Sequence, residues 1–190
     1  MTVEAARAGR PRSAACDAAI LDAAAELLGE VGYDALSIEG VAARAGVGKT
    51  TIYRRYPTKV ELVIAASEHM GAGVPPFVER ADIRADLLAI AQAYVRMLTA
   101  TDVGRAVPMM IVAKTQNPEL ARAHDAFVAS RRAVSIGVIR RAIERGELPV
   151  DVDPELISDL LTGPIMLRVL VTGAPVTSQY LEQLVDSILS

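Results

Sequence analysis

The sequence predicts an all-α protein of about nine helices, with an N-terminal three-helix domain followed by a larger helical domain. Hydrophobic residues make up 52% of the 190 positions, aromatic residues only 4%, and there is no Trp. That composition suits helices packed on helices rather than a β-sandwich. Apolar residues recur at i, i+3 and i+4 through most of the chain, the period of a helix with one buried face. Start and stop signals punctuate the pattern. Asn117-Pro118-Glu119 and Asp153-Pro154-Glu155 each supply a cap, a first-turn proline and an acid matched to the helix dipole.

The first helix is expected from about Ser13 to Val31, with Ile20, Leu21, Ala24, Leu27, Leu28 and Val31 on one face and Gly32 as its stop. Cys16, near its start, reads as a small packing residue. Ser37 caps a short second helix whose Ile38, Val41 and Ala42 face inward. Gly46 suits the left-handed residue that ends it, and Val47 turns back into the core. A third helix follows from about Gly48 to Arg55. Two brief helices joined by a tight glycine turn are the sequence form of a helix-turn-helix.

Pro57 is expected in the first turn of a fourth helix, with Leu62, Val63 and Ala66 inward. Gly71, Gly73, Pro75 and Pro76 close that helix and mark the best boundary in the chain. The division is thus a flexible basic arm at 1–12, a helix-turn-helix domain at 13–56, a linker helix at 57–73 and a second domain at 74–190. Helices are expected in the second domain over about 81–101, from Asp102 or Gly104 to Lys114 with Pro108 bending or delaying it, over 117–145, over 154–171 and from Thr177 to about Leu189. Gly163-Pro164 should kink the eighth of these.

Charge indicates what the helix-turn-helix is for. Between Arg44 and Lys59 lie five basic residues (Arg44, Lys49, Arg54, Arg55 and Lys59) and no acidic ones, with Tyr53 and Tyr56 among them. In such a unit the start of the second helix enters the major groove while nearby Lys, Arg, Thr and Tyr grip phosphates. The candidate DNA-binding residues are Ser37, Arg44, Gly48, Lys49, Thr50, Thr51, Tyr53, Arg54, Tyr56 and Lys59. Residues 1–60 hold eight Lys and Arg against seven Asp and Glu, and the remainder twelve against sixteen. The net charge of −3 therefore conceals a less acidic DNA-facing end. The arm, with Arg7, Arg10 and Arg12, reads equally as a minor-groove arm or as a solvated tail.

The residues Ile20-Leu21-Asp22-Ala23-Ala24, Gly32-Tyr33, Ser37-Ile38, Val41-Ala42, Ala45-Gly46-Val47, Thr51-Ile52-Tyr53 and Tyr56-Pro57-Thr58-Lys59 run in register over some fifty positions. Together they resemble the N-terminal domain of TetR-family (TetR/AcrR) transcriptional regulators. One position departs: the family commonly has Ser as the cap of the recognition helix, and here it is Gly48. Glycine is a weaker cap than Ser by only a few tenths of a kcal/mol. Ala43 to Thr50 also fits a relaxed P-loop, but helical period precedes it and Pro57 stops the helix after it, neither of which a P-loop allows.

The resemblance implies a homodimer, a palindromic double-stranded operator, repression more often than activation, and a pocket for an unknown small-molecule effector. For the dimer interface the last two helices offer wide apolar stripes, represented by Leu156, Leu160, Val169, Leu181, Leu184 and Ile188. Pairing them with their twins makes a four-helix interface. For the pocket the candidates are Tyr94, Met97, Met109, Met110, Phe127 and Met166, with Gln116, His124 and Arg131 supplying polarity. Residues of this type at helical spacing also serve as plain core. Arg168, in its apolar setting, is expected to pair with an acid.

The alternatives are a ligand-independent DNA-binding or architectural protein and an enzyme. The enzyme reading finds one Cys, two distant His and no metal-ligand spacing to rest on. No cofactor or metal is expected. The polar N-terminus lacks the apolar core of a signal peptide and no apolar run reaches membrane-span length, so a cytoplasmic protein with no membrane partner is expected.

Overall fold

The computed structural model describes residues 11–72 and 77–190. Most of the expected basic arm, and Gly73, Pro75 and Pro76 of the expected boundary, lie outside them. The described residues form helices α1 (Pro11–Ala35), α2 (Ile38–Ala45), α3 (Lys49–Tyr53), α4 (Lys59–Ala72), α5 (Ile83–Ala100), α6 (Asp102–Ala113), α7 (Pro118–Glu144), α8 (Pro154–Met166) and α9 (Ser178–Leu189), and no strand. The P-loop reading fails here, because helix α2 stands where it requires a buried strand.

The start signals act as read. Ser37 Oγ accepts from the Gly40 N–H at 3.1 Å, Asn117 Oδ1 from the N–H groups of Glu119 and Leu120, Asp153 from Glu155, and Thr177 from Tyr180. Gly32, at φ 77° and ψ 174°, breaks the first helical run where its stop was expected, and a further helical turn follows it to Ala35. One expectation needs correction. Pro57 lies before α4 rather than inside its first turn; Thr58 Oγ1 caps that helix by accepting from the Glu61 N–H. Past Gly163-Pro164, α8 stays α-helical to Met166 and then widens into a π-helical stretch over Leu167–Thr172 before Gly173 stops it in the left-handed region, near the expected end. A proline removes one N–H from the ladder, and one extra residue per turn is a way to pass it.

Two apolar centres hold these helices together. The first gathers Ile20, Ala24 and Leu28 of α1, Val41 of α2, Ile52 of α3 and Leu62, Val63 and Ala66 of α4, all but fully buried. Ala106 and Met110 of α6 and Leu120 of α7 close the same cluster. The second gathers Leu87 of α5, Val138 and Ile139 of α7, Leu161 and Ile165 of α8, and Leu181 and Val185 of α9. Helix α1 therefore packs on α6, and α4 on α7, which joins the helix-turn-helix domain to the second domain. Gly29 and Gly104 permit the closest approaches. A Cβ on Gly29 would stand 2.9 Å from Cβ of Arg105, and one on Gly104 only 2.1 Å from the Leu98 carbonyl oxygen.

Candidate nucleic-acid interface

The reader is built on one anchor and one turn. Gly46, at φ 66° and ψ 31°, ends α2 in a conformation that costs a residue with a Cβ roughly 1 kcal/mol or more. Val47 N–H then donates to Ala42 O at 3.0 Å and turns the chain into α3. Ile52, fully buried, pins α3 to the core. With Ile52 inward, the short helix presents Lys49, Thr50, Tyr53 and Arg54 to solvent, and Tyr53 is 47% exposed. Gly48 precedes them with extended backbone and no side-chain cap.

The remaining predicted contacts are placed otherwise. Ser37 is exposed, but its hydroxyl is engaged as the α2 cap. Thr51 is half-buried. Arg44 grips Glu30 through both terminal nitrogens, at 2.7 and 2.8 Å, with Glu26 at 3.5 Å. The bidentate bond holds the Glu30 carboxyl below its usual range. Tyr56 turns inward and donates to Asp17 Oδ1 at 2.9 Å; burial, then this bond, push its phenol up to about 12. Arg55 Nε meets the same oxygen at 3.2 Å. Lys59 Nζ donates to Asp34 O at 3.0 Å and lies 4.4 Å from the Tyr33 ring centroid, so it braces α4 against the end of α1. Lys49 Nζ meets Glu39 Oε1 at 2.9 Å with both side chains more than half exposed.

The glutamates and Asp17 that receive these cations escape a reading of one sequence. Their partners lie 10 to 39 positions away, and only the packing of α1, α2 and α3 on one another brings them together.

In the second domain the six pocket candidates lie in different surroundings. Tyr94 Oη donates to Met166 Sδ at 3.4 Å beside Met97 in the second core. Met110 is buried in the first core, and Met109 is 41% exposed with its sulfur against Gly32. Phe127 instead lines a groove of about 770 Å³ between α4 and α7, with Ile64, Ala123 and Ala126. Glu61, Glu68, Glu119, Arg122 and Arg131 border it. Gln116 is exposed, and His124 sits between Lys114 and Asp125. Arg168 donates to Pro175 O at 2.7 Å and stacks 3.7 Å from the Tyr180 ring centroid, and among the described residues no acid pairs with it.

Of the interface candidates, Leu156 and Leu160 are 56% and 46% exposed, Val169, Leu184 and Ile188 are half-buried, and Leu181 faces its own core at 4%. Leu167 and Val171, both exposed, extend the Leu156–Leu160 stripe along the π-helical stretch. Among the described residues no helix is long and apolar enough to cross a membrane, and no three His, Cys, Asp or Glu converge to hold a metal ion.

A buried-anchor helix-turn-helix that displays Lys, Thr, Tyr and Arg defines a DNA-binding protein of the helix-turn-helix class. Comparison with known proteins makes this specific. Residues 20–66 match the bacterial regulatory proteins of the tetR family, and residues 78–188 match the tetracyclin repressor-like C-terminal domain. The DNA-binding transcriptional repressor TetR of Mycobacteroides abscessus is 35% identical over 184 residues, covering 90% of each chain. The crystal structure of the TetR family transcription regulator SCO0332 superposes with a TM-score of 0.71 at 34% identity, over 92% of this chain and 96% of that one. FadR from Bacillus subtilis, solved in complex with stearoyl-CoA, shares the fold at 20% identity and a TM-score of 0.68, over 90% of this chain and 94% of that one. The chain belongs to the TetR family and is a helix-turn-helix DNA-binding transcriptional regulator.

Proposed function

We propose that this regulator is a repressor that binds a palindromic operator as a homodimer and is released by a small, largely apolar ligand. The groove between α4 and α7 carries this reading. Its apolar part, Ile64, Ala123 and Phe127, is half-buried, while Glu61, Glu68, Glu119 and Arg122 at its edge are exposed. A few polar groups around an apolar floor are what a small-molecule site needs. One wall is α4, the helix that follows directly on α3 and packs on the reader's core through Leu62, Val63 and Ala66. A ligand that spreads α4 from α7 therefore shifts the reader.

Dimerisation is supported by the exposed stripe Leu156, Leu160, Leu167 and Val171, which continues along one side of α8 and its π-helical extension. Two-fold pairing would set two α3 helices toward half-sites about 34–36 Å apart, or a multiple of that. Ligand and operator then select different spacings, and the coupling is reciprocal. A relative of the same fold solved with stearoyl-CoA supports an effector with a long apolar part.

The test is a thermal-shift screen of acyl-CoA thioesters, fatty acids and hydrophobic organic cations, followed by operator titration with each hit. The reading expects a hit that raises the melting temperature, weakens operator binding at least tenfold and loses both effects in Phe127→Ala. A hit that stabilises the protein and leaves operator affinity unchanged sinks it.

A further inference from the structure

Three cations of the reader are held by carboxylates, and the three pairs are not alike. Arg44 with Glu30 ties α2 to α1, and Arg55 with Asp17 ties the end of α3 to α1. Lys49 with Glu39 stands on the reading face, with 55% and 59% of the two side chains exposed. It braces little, since the Gly46 turn, the Ser37 cap and buried Ile52 already set α2 against α3. A carboxylate on that face is a liability, because every duplex presents phosphates that repel it.

We propose that Glu39 is a specificity-setting residue of the DNA reader. Lys carries its charge on a flexible four-carbon stem and, left free, goes to the nearest phosphate. Glu39 holds the ammonium 2.9 Å away at the start of α3, the end that meets base edges in this class of reader. The pair charges Lys49 a cost for leaving it. On random DNA, where Lys49 has only phosphate to gain, the cost and the repulsion of Glu39 by the backbone lower affinity. On the operator, Lys49 reaches a guanine O6 or N7 while still held, so the cost is not met. Glu39 positions Lys49 and need not touch a base. The inference rests on the DNA-binding class alone and is independent of ligand release.

The experiment compares the wild-type chain, Glu39→Gln, Lys49→Met and the double variant, on two duplexes of about 30 base pairs. One has random sequence; the other is the sequence the wild type recovers from a random library. Each is titrated over a salt series, with a melting curve to show that the exposed substitutions leave the fold intact. Glu39→Gln should tighten random-duplex binding roughly three- to tenfold and steepen its salt slope by about one ion per protomer. It should lower the operator-to-random ratio by about tenfold. In the Lys49→Met background the same change should move random binding by less than about twofold and leave the ratio unchanged. The proposal is overturned if Glu39→Gln leaves the ratio and slope as in the wild type. It is equally overturned if its effect is as large without Lys49, since Glu39 would then act only as a through-space charge.

Discussion

The Tyr56 hydroxyl donates to Asp17 Oδ1 at 2.9 Å and so fastens the chain just beyond the recognition helix to the start of α1. A tyrosine in the basic stretch reads from sequence as a phosphate contact, and the bond turns it into a brace. Tyr56→Phe is expected to lower stability by about 1 kcal/mol, the worth of one neutral-to-charged hydrogen bond in a partly solvated setting. Operator affinity, measured well below the melting temperature, should change by less than about threefold. A loss of more than about tenfold would return Tyr56 to the DNA interface.

Burial of this phenol, and then its bond to Asp17, predict an alkaline limit. The phenol titrates near 12 in the folded protein, against an ordinary value of 10.0. Between those values the unfolded chain has lost the proton and the folded one keeps it. Stability is therefore fully present below about pH 10 and is lost as pH rises toward 12. Denaturant midpoints at pH 9, 10, 11 and about 12 should fall more steeply in the wild type than in Tyr56→Phe.

Tyr53 is the counterpart, 47% exposed on the same face as Lys49, Thr50 and Arg54. Tyr53→Ala should leave the melting temperature within about 2 °C, because nothing in the core loses a neighbour. It should weaken operator binding by about tenfold or more, the worth of a good polar contact in each of two half-sites.

Gly104 carries the tightest approach among the described glycines, with a Cβ there only 2.1 Å from the Leu98 carbonyl oxygen. Since backbone cannot swing aside as a side chain can, Gly104→Ala should force α5 and α6 apart. Calorimetry should show a loss of about 2 kcal/mol or more. Gly48→Ser faces open space and should instead leave stability level or slightly higher, because Ser caps a helix as well as or better than Gly.

Leu160 lies 46% exposed in the middle of the stripe on α8. If that stripe pairs two protomers, Leu160→Glu buries two unpaired carboxylates at the two-fold interface and should convert the dimer to monomer by light scattering. Operator affinity should drop with it. Leu181→Glu would report on something else, since Leu181 sits in its own chain's core and its loss unfolds the helix pair.

Local chemistry made much of this legible in the sequence. Ser37, Asn117, Asp153 and Thr177 cap their helices because the cap is a bond between neighbours three residues apart or fewer. Gly46 turns left-handed because it has no Cβ, and Ile52 is buried because it is the apolar residue among polar ones in a short helix. The all-α fold and the DNA-reading class followed from such signals, with the register of the family motif to sharpen them. Only the tertiary structure decided which basic residues face outward. Arg44 is tied to Glu30 and half-buried Tyr56 to Asp17, 14 and 39 positions away, and Lys49 is held by Glu39 across the turn. It also decided that Met110 fills the reader's core while Phe127 lines a groove beside α4. Helical period tells which face of a helix is apolar; which neighbour covers that face depends on how the helices cross, and that is set by the whole packing at once.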